Sequence, residues 1–229
     1  QTFEGFKKYI EKLVDEAKKR KSKGVVKLVS SQEFEFIVGK ANEISEKKIE
    51  HPKVEKIIEI IRYEIEKNKK AKIIIFTQFR NTASLLSRKI NEISNVKSKI
   101  FVGQAKKDNT GLNQKEQKKI IDEFSNSELN VLCATSIGEE GLDIPEVNTV
   151  IFYEPVSSAI RKIQRAGRTA RLIKGKLIML ITKKTRDEGS YYASIAREKK
   201  MHSSIDEVKK HLIKKYPEKK QVSIKDYFR

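Results

Sequence analysis

Lys72-Ile73-Ile74-Ile75-Phe76-Thr77-Gln78-Phe79-Arg80 is the stretch on which the fold turns. Four successive apolar residues without polar alternation are typical of a strand covered on both faces, as in a parallel sheet flanked by helices. The polar residues that follow contain no glycine turn, so the dinucleotide fingerprint is absent. Working outward, runs of the same kind occupy 99–102, 130–134, 149–153 and 176–182, and helical spacing occupies 81–94, 114–125, 157–166 and 186–200. Pro52 opens a further helix to about Asn68, apolar at Val54, Ile57, Ile58, Ile61 and Ile65. This alternation predicts an α/β domain of three layers, a parallel sheet with helices on both faces.

Ahead of the sheet, Phe3, Phe6, Ile10, Leu13, Val14 and Ala17 recur at helical spacing, and a second short helix is expected over 31–46. Together they form a small N-terminal helical arm, too small to fold alone. The chain opens on Gln1-Thr2-Phe3 with neither an initiator Met nor a signal peptide, and it reads as a fragment of a longer protein.

The 229 residues are 38% apolar and 35% charged, enough for a core and high in charge, in keeping with a hyperthermophile or archaeal source. No run of about 18 apolar residues exists, which argues against a membrane helix. Cys133 is the single cysteine and lies in an apolar run; it reads as a buried structural thiol in a reducing, cytoplasmic compartment. One cysteine with His51, His202 and His211 offers no zinc spacing, so no metal site is expected in this segment.

The net charge of +19 is unevenly spread. Residues 1–70 hold 18 Lys/Arg against 13 Asp/Glu, 71–160 hold 11 against 11, and 161–229 hold 21 against 7. Positive charge gathered into the last third suggests a face that meets phosphates, set against the plainer reading of a solvated basic tail.

An ATPase needs a Gly-x4-Gly-Lys-Ser/Thr loop between a strand and a helix, and the sequence has none. Gly175-Lys176 lacks the spacing and is followed by a strand. Val14-Asp15-Glu16-Ala17 looks like an acidic magnesium box but sits inside an amphipathic helix. No carboxylate cluster suits a two-metal nuclease. The sheet therefore reads as a nucleotide-binding fold without its own phosphate loop.

Ligands of parallel sheets collect beyond the carboxyl ends of the strands, and three strand ends carry unusual polar residues. The first is Thr77-Gln78-Phe79-Arg80. The second runs from Thr135 to Pro145, with Gly138 and Gly141 for close backbone approach and Asp143 as an acceptor suited to a ribose hydroxyl. The bland alternative there is a tight turn capped by an aspartate. The third is Gln164-Arg165-Ala166-Gly167-Arg168-Thr169-Ala170-Arg171. On a helix, Arg161, Arg165 and Arg168 would fall within about 60° of arc at 100° per residue. Such arginines repel one another unless an anion sits between them, and guanidinium forks onto phosphate oxygens.

In order and spacing these segments resemble motifs IV, V and VI of superfamily 2 helicases, in particular the archaeal Hef and Fanconi anaemia M group. Phe101-Val102-Gly103-Gln104-Ala105, Gly111-Leu112-Asn113-Gln114-Lys115-Glu116-Gln117 and Phe152-Tyr153-Glu154-Pro155 extend the likeness over about residues 50–200. Ala170 departs from the family's usual glycine. The resemblance implies a RecA-like second motor domain, an ATP-dependent DNA helicase in the intact protein, with ATP and Mg²⁺ bound mainly by a preceding motor domain in cis. It assigns Arg168 and Arg171 to the γ-phosphate, Gln164 to coupling, Gly141 and Asp143 to the ribose side. Gln78, Arg80, Gly103, Thr135 and Arg165 are assigned to DNA. Alone, the chain is then expected to be inactive. The resemblance divides it into 1–48, the trailing part of a helical thumb-like insert gripping branched DNA; 49–205, the motor domain; and 206–229, a basic tail. A nucleoid-associated, archaeal helicase at forks is the expected setting.

The tail ends in Gln221-Val222-Ser223-Ile224-Lys225-Asp226-Tyr227-Phe228, which resembles the peptide that docks on the sliding clamp PCNA. Ile224, Tyr227 and Phe228 would form an apolar plug with Gln221 as polar anchor. Two alternatives stay open: a non-enzymatic adaptor joining DNA to the clamp, and half of an RNA helicase.

Overall fold

The computed structural model of the chain describes residues 2–47, 49–104, 111–135, 145–155 and 175–215. At its centre is a five-stranded, all-parallel sheet in the order β2-β3-β1-β4-β5, built from β1 (Ile73–Phe76), β2 (Ser98–Phe101), β3 (Val131–Ala134), β4 (Thr149–Phe152) and β5 (Lys176–Met179). β1, β3 and β4 are buried along their whole length, while the outer strands β2 and β5 are partly exposed. That is the arrangement the uninterrupted apolar runs predicted.

The strand period of two sorts the sheet side chains into two cores. Ile73, Ile75, Val131, Cys133 and Ile151 point to one face, where they meet α4 (Pro52–Lys67) and α5 (Arg80–Ile90) through Ile57, Ile61 and Leu86. Ile74, Phe76, Leu132, Val150 and Phe152 point to the other, where α6 (Gln114–Ser125) covers them with Ile120, Ile121 and Phe124. The three layers follow directly. Phe76 and Phe152 stack across adjacent strands with centroids 5.9 Å apart. Cys133 is fully buried, and burial pushes its thiol up to about 12 despite a contact to Ser98 Oγ, which leaves no thiolate for chemistry.

Local signals fix the helix starts. Pro52 stands at the first turn of α4, and His51 Nδ1 accepts the Lys53 N–H at 3.2 Å. α6 opens with a capping box: Asn113 Oδ1 accepts the Glu116 N–H at 2.9 Å, and Glu116 Oε2 accepts the Asn113 N–H at 2.6 Å. Asn113→Ala removes one half of this exchange. It is expected to lower unfolding free energy by about 1 kcal/mol, measured as a shift in urea midpoint without a change of slope.

The arm holds three helices rather than the two expected: α1 (Phe3–Lys18), α2 (Lys23–Val29) and α3 (Gln32–Glu46). It is tied to the sheet domain by Arg88–Glu4 at 2.9 Å, by the Phe3 N–H donating to Glu50 Oε1 at 2.8 Å, and by the Phe3 and His51 rings. Between arm and α5 lies an apolar groove of about 610 Å³ lined by Phe3, Phe6, Phe36, Ile37, Ile44 and Leu85. Phe36 is 67% exposed there. The last helix among the described residues, α7 (Arg186–Lys215), runs fifteen residues beyond the 186–200 expected and through the first ten residues of the stretch assigned to the tail. β5 ends three residues sooner than expected, because its ladder closes where Leu180 N–H meets the Phe152 carbonyl, the last residue of β4.

Candidate nucleic-acid interface

In register, the carboxyl ends of β2, β3, β1 and β4 stand side by side, since Phe101, Ala134, Phe76 and Phe152 are partners across the sheet. The residues just beyond them therefore form one rim: Gly103, Thr135, Thr77 to Arg80, and Tyr153-Glu154. Four sequence-assigned positions, Gln78, Arg80, Gly103 and Thr135, come together here although they are spread over 58 positions of chain.

The β1–α5 turn is held from several directions. Thr77 Oγ1 accepts the Phe79 N–H at 3.1 Å and donates to the Phe79 carbonyl at 2.8 Å, closing the turn on itself. The Gln78 N–H donates to Glu154 Oε1 at 2.6 Å. Arg80 Nη2 donates to the Gly103 carbonyl at 3.1 Å, and the Leu112 N–H donates to the same carbonyl at 3.3 Å. Arg80 thus bridges from β1 across β3 to the end of β2. Gln78 and Phe79 are exposed, Arg80 half-buried, and Thr135 buried, its N–H donating to the Phe101 carbonyl at 3.1 Å. The rim presents a mixed surface of amide, guanidinium, aromatic ring and backbone, the chemistry that meets a sugar–phosphate chain.

Behind the rim a second cluster secures the Tyr153 peptide. Lys53 Nζ, on α4, donates to the Tyr153 carbonyl at 2.8 Å and pairs with Asp187 Oδ2 at the start of α7. The same carboxylate accepts the Thr182 N–H at 3.0 Å. Burial by itself would raise the Asp187 pKa; the bonds from Lys53 and Thr182 outweigh it and hold the carboxyl below its ordinary value. Sequence reasoning quoted Glu154 within a resembling stretch but missed its bond to Gln78, and missed the Lys53–Asp187 pair. Each joins residues more than 70 positions apart, and neither has a local signature.

Gly141, Asp143, Gln164, Arg165, Arg168 and Arg171 lie outside the described residues, as do Gln221, Ile224, Tyr227 and Phe228. Among the described residues no group of His, Cys, Asp or Glu could hold a metal ion, and no helix is long and apolar enough to cross a membrane.

The family model for the helicase conserved C-terminal domain matches residues 52–173, more than half of the chain. The chain belongs to that family. The matched span contains the whole rim and takes in Gly141, Asp143, Gln164, Arg165, Arg168 and Arg171. This helicase C-terminal domain is 44% identical to the crystal structure of the Pyrococcus furiosus Hef helicase domain, with a TM-score of 0.66 over 85% of this chain and 39% of that one. The C-terminal domain of the DEAD-box protein Dbp5 shares the fold at 24% identity, with a TM-score of 0.51 over 66% of this chain and 79% of that one. "Putative ATP-dependent RNA helicase MJ1505" of Methanocaldococcus jannaschii is 39% identical over 86% of this chain. The Schizosaccharomyces pombe ATP-dependent DNA helicase fml1 is 42% identical over 58%. The relatives are superfamily 2 helicases of the Hef, Fml and Mph1 type. The helicase C-terminal domain spans 24% of the first of these curated relatives and 16% of the second.

Proposed function

We propose that this domain is the second motor half of an ATP-dependent DNA translocase acting on forked or branched DNA. The observation that supports it most is the convergence of Gln78, Arg80, Gly103 and Thr135 on one rim at the carboxyl ends of adjacent parallel strands. In this reading the rim carries one strand of the DNA by its backbone, with Arg165 beside it. Arg168 and Arg171 reach the γ-phosphate of ATP, Gln164 couples that contact to the cleft, and Gly141 and Asp143 sit at the ribose. The phosphate loop and the carboxylates for Mg²⁺ belong to a preceding motor half, so the chain by itself does not turn over ATP. Residues 1–48 belong to a thumb-like insert, and Gln221, Ile224, Tyr227 and Phe228 dock on a sliding clamp such as PCNA.

DNA is favoured because relatives of the Fml and Mph1 type are named DNA helicases. The RNA reading has the printed name of the M. jannaschii relative in its support. A direct test titrates the chain with forked DNA and with a matching RNA over a series of salt concentrations. Arg80→Ala is expected to weaken DNA binding several-fold and to reduce the slope of log K against log salt by about 1. An unchanged slope would remove Arg80 from the phosphate contacts. Tighter binding of RNA than DNA would favour the RNA reading. Retention of clamp binding together with an absence of ATP turnover in the intact protein would favour the adaptor.

A further inference from the structure

We infer that Glu154 is a positioning residue for the DNA-facing turn, an inference that rests on the reading of the rim as a nucleic-acid surface. The Glu154 carboxylate accepts the backbone N–H of Gln78 at 2.6 Å, a short, charge-assisted bond reaching from the end of β4 to the turn after β1. The position lies just ahead of the start of α5. The helix has no side-chain hydrogen bond at its N-cap, Phe79, and no acidic residue in its first turn. The Gln78 N–H lies one residue ahead of that N-cap, whose own N–H goes to Thr77 Oγ1, so the Glu154 carboxylate caps no helix donor but places negative charge near the positive end of α5.

The consequence is geometric. The turn from Thr77 to Arg80 carries two residues assigned to the DNA backbone; its Thr77 N–H donates to the Ala134 carbonyl of β3 at 2.9 Å, and side chains hold it through the Thr77 hydroxyl, Glu154 Oε1 and the Arg80–Gly103 bond. The first of these side-chain ties lies within the turn. The third is made by Arg80, one of the DNA-assigned side chains. Glu154 supplies a side-chain strut from outside that set. Its own backbone is secured from behind, where Lys53 holds the preceding Tyr153 carbonyl. Pro155 follows, and 156–174, with the arginine-rich segment, continues from there. Glu154 thereby ties the DNA-facing turn to the end of β4. It acts through the Gln78 peptide.

The test uses the 229-residue chain and its Glu154→Gln and Glu154→Ala variants, with Arg80→Ala as reference. Hydrogen exchange at the Gln78 amide is followed by NMR, and affinity for forked DNA by fluorescence anisotropy. Glu154→Ala is expected to raise Gln78 exchange and to weaken DNA binding by about tenfold, the effect of losing a hydrogen bond to a charged group. Glu154→Gln, which keeps an acceptor oxygen, should recover part of both. Exchange of amides in β1 and β3 should stay at the wild-type rate, which a general loss of structure would not allow. If Glu154→Ala misfolds, the Gln variant carries the comparison. Overturning results are an unchanged Gln78 exchange rate, or wild-type affinity in a Glu154 variant while Arg80→Ala is impaired. If the wild-type chain itself binds no DNA, the rim reading fails and this inference fails with it.

Discussion

In the intact helicase, Arg168→Ala is expected to lower kcat for ATP hydrolysis by ~10³-fold or more, with a much smaller change in KM. Phosphoryl transfer offers a protein little covalent chemistry; catalysis is mainly placement and charge stabilisation of a transferring group whose oxygens carry developing charge. A guanidinium suits that role because it stays charged at any working pH and presents a planar fork of donors. Gly167 precedes Arg168 and Thr169 follows it, so no carboxylate adjoins the residue in sequence. Arg168→Lys keeps the charge but loses the fork, and should recover only a small part of the rate. The measurement is steady-state hydrolysis in the presence of saturating forked DNA. Turnover of Arg168→Ala within about tenfold of wild type would withdraw the arginine-finger assignment.

Lys53→Met is expected to cost about 3 kcal/mol of stability, the largest effect of any single change at the rear of the rim. The Lys53 side chain is only 10% exposed and its partner Asp187 23%, so the pair is shielded from solvent far better than the surface pairs on α1 and α3. Removing the ammonium leaves the Asp187 carboxylate and the Tyr153 carbonyl without that partner, while the methionine preserves most of the apolar stem. Lys53→Met combined with Asp187→Asn should cost less than Lys53→Met alone, since no uncompensated charge remains. The pH dependence has a definite sign. Because Asp187 has its folded pKa depressed, its contribution is fully present above the unfolded value of about 3.9 and is lost as pH falls through the lower folded value. Wild type should therefore lose stability on acidification below about pH 4, and Lys53→Met should lose less over that window. Urea midpoints at pH 7 and at pH 3 decide it; a cost below about 1 kcal/mol at pH 7 would show the pair to be energetically idle.

How much of this was legible beforehand depends on the range of the interaction. The inner strands β1, β3 and β4 were readable because each is a short β-branched or apolar run buried along its whole length, Ile73 to Phe76 being the clearest case, while the partly exposed β2 and β5 were readable from Ile100-Phe101 and Leu177-Ile178-Met179. α4 and α6 were readable because Pro52 and the Asn113–Glu116 pair mark their starts within four residues. α2 was missed because Val25, Val26 and Val29 carry strand-like preferences in a seven-residue segment with no buried residue of its own. Its helix is imposed by packing on α1 and α3. The extension of α7 was missed because its apolar residues follow no single face; Ile205 and Val208 are exposed, and helix-favouring Lys, Glu and Arg carry the helix onward. At the rim, Gln78, Arg80, Gly103 and Thr135 were found through motif resemblance, and the sheet register explains why they meet. Glu154 was quoted only as part of a resembling stretch and Lys53 not at all, because their work is done on backbone atoms 76 and 100 positions away, and no spacing rule reaches that far.

The central claim is that this domain completes an ATP site whose phosphate-binding wall belongs to a preceding motor half. The measurement that tests it most directly is DNA-stimulated ATP hydrolysis by the 229-residue chain alone and by the intact helicase under the same conditions. The account predicts no turnover above background from the chain alone and robust, DNA-dependent turnover from the intact protein. DNA-stimulated hydrolysis by the purified chain on its own would contradict it.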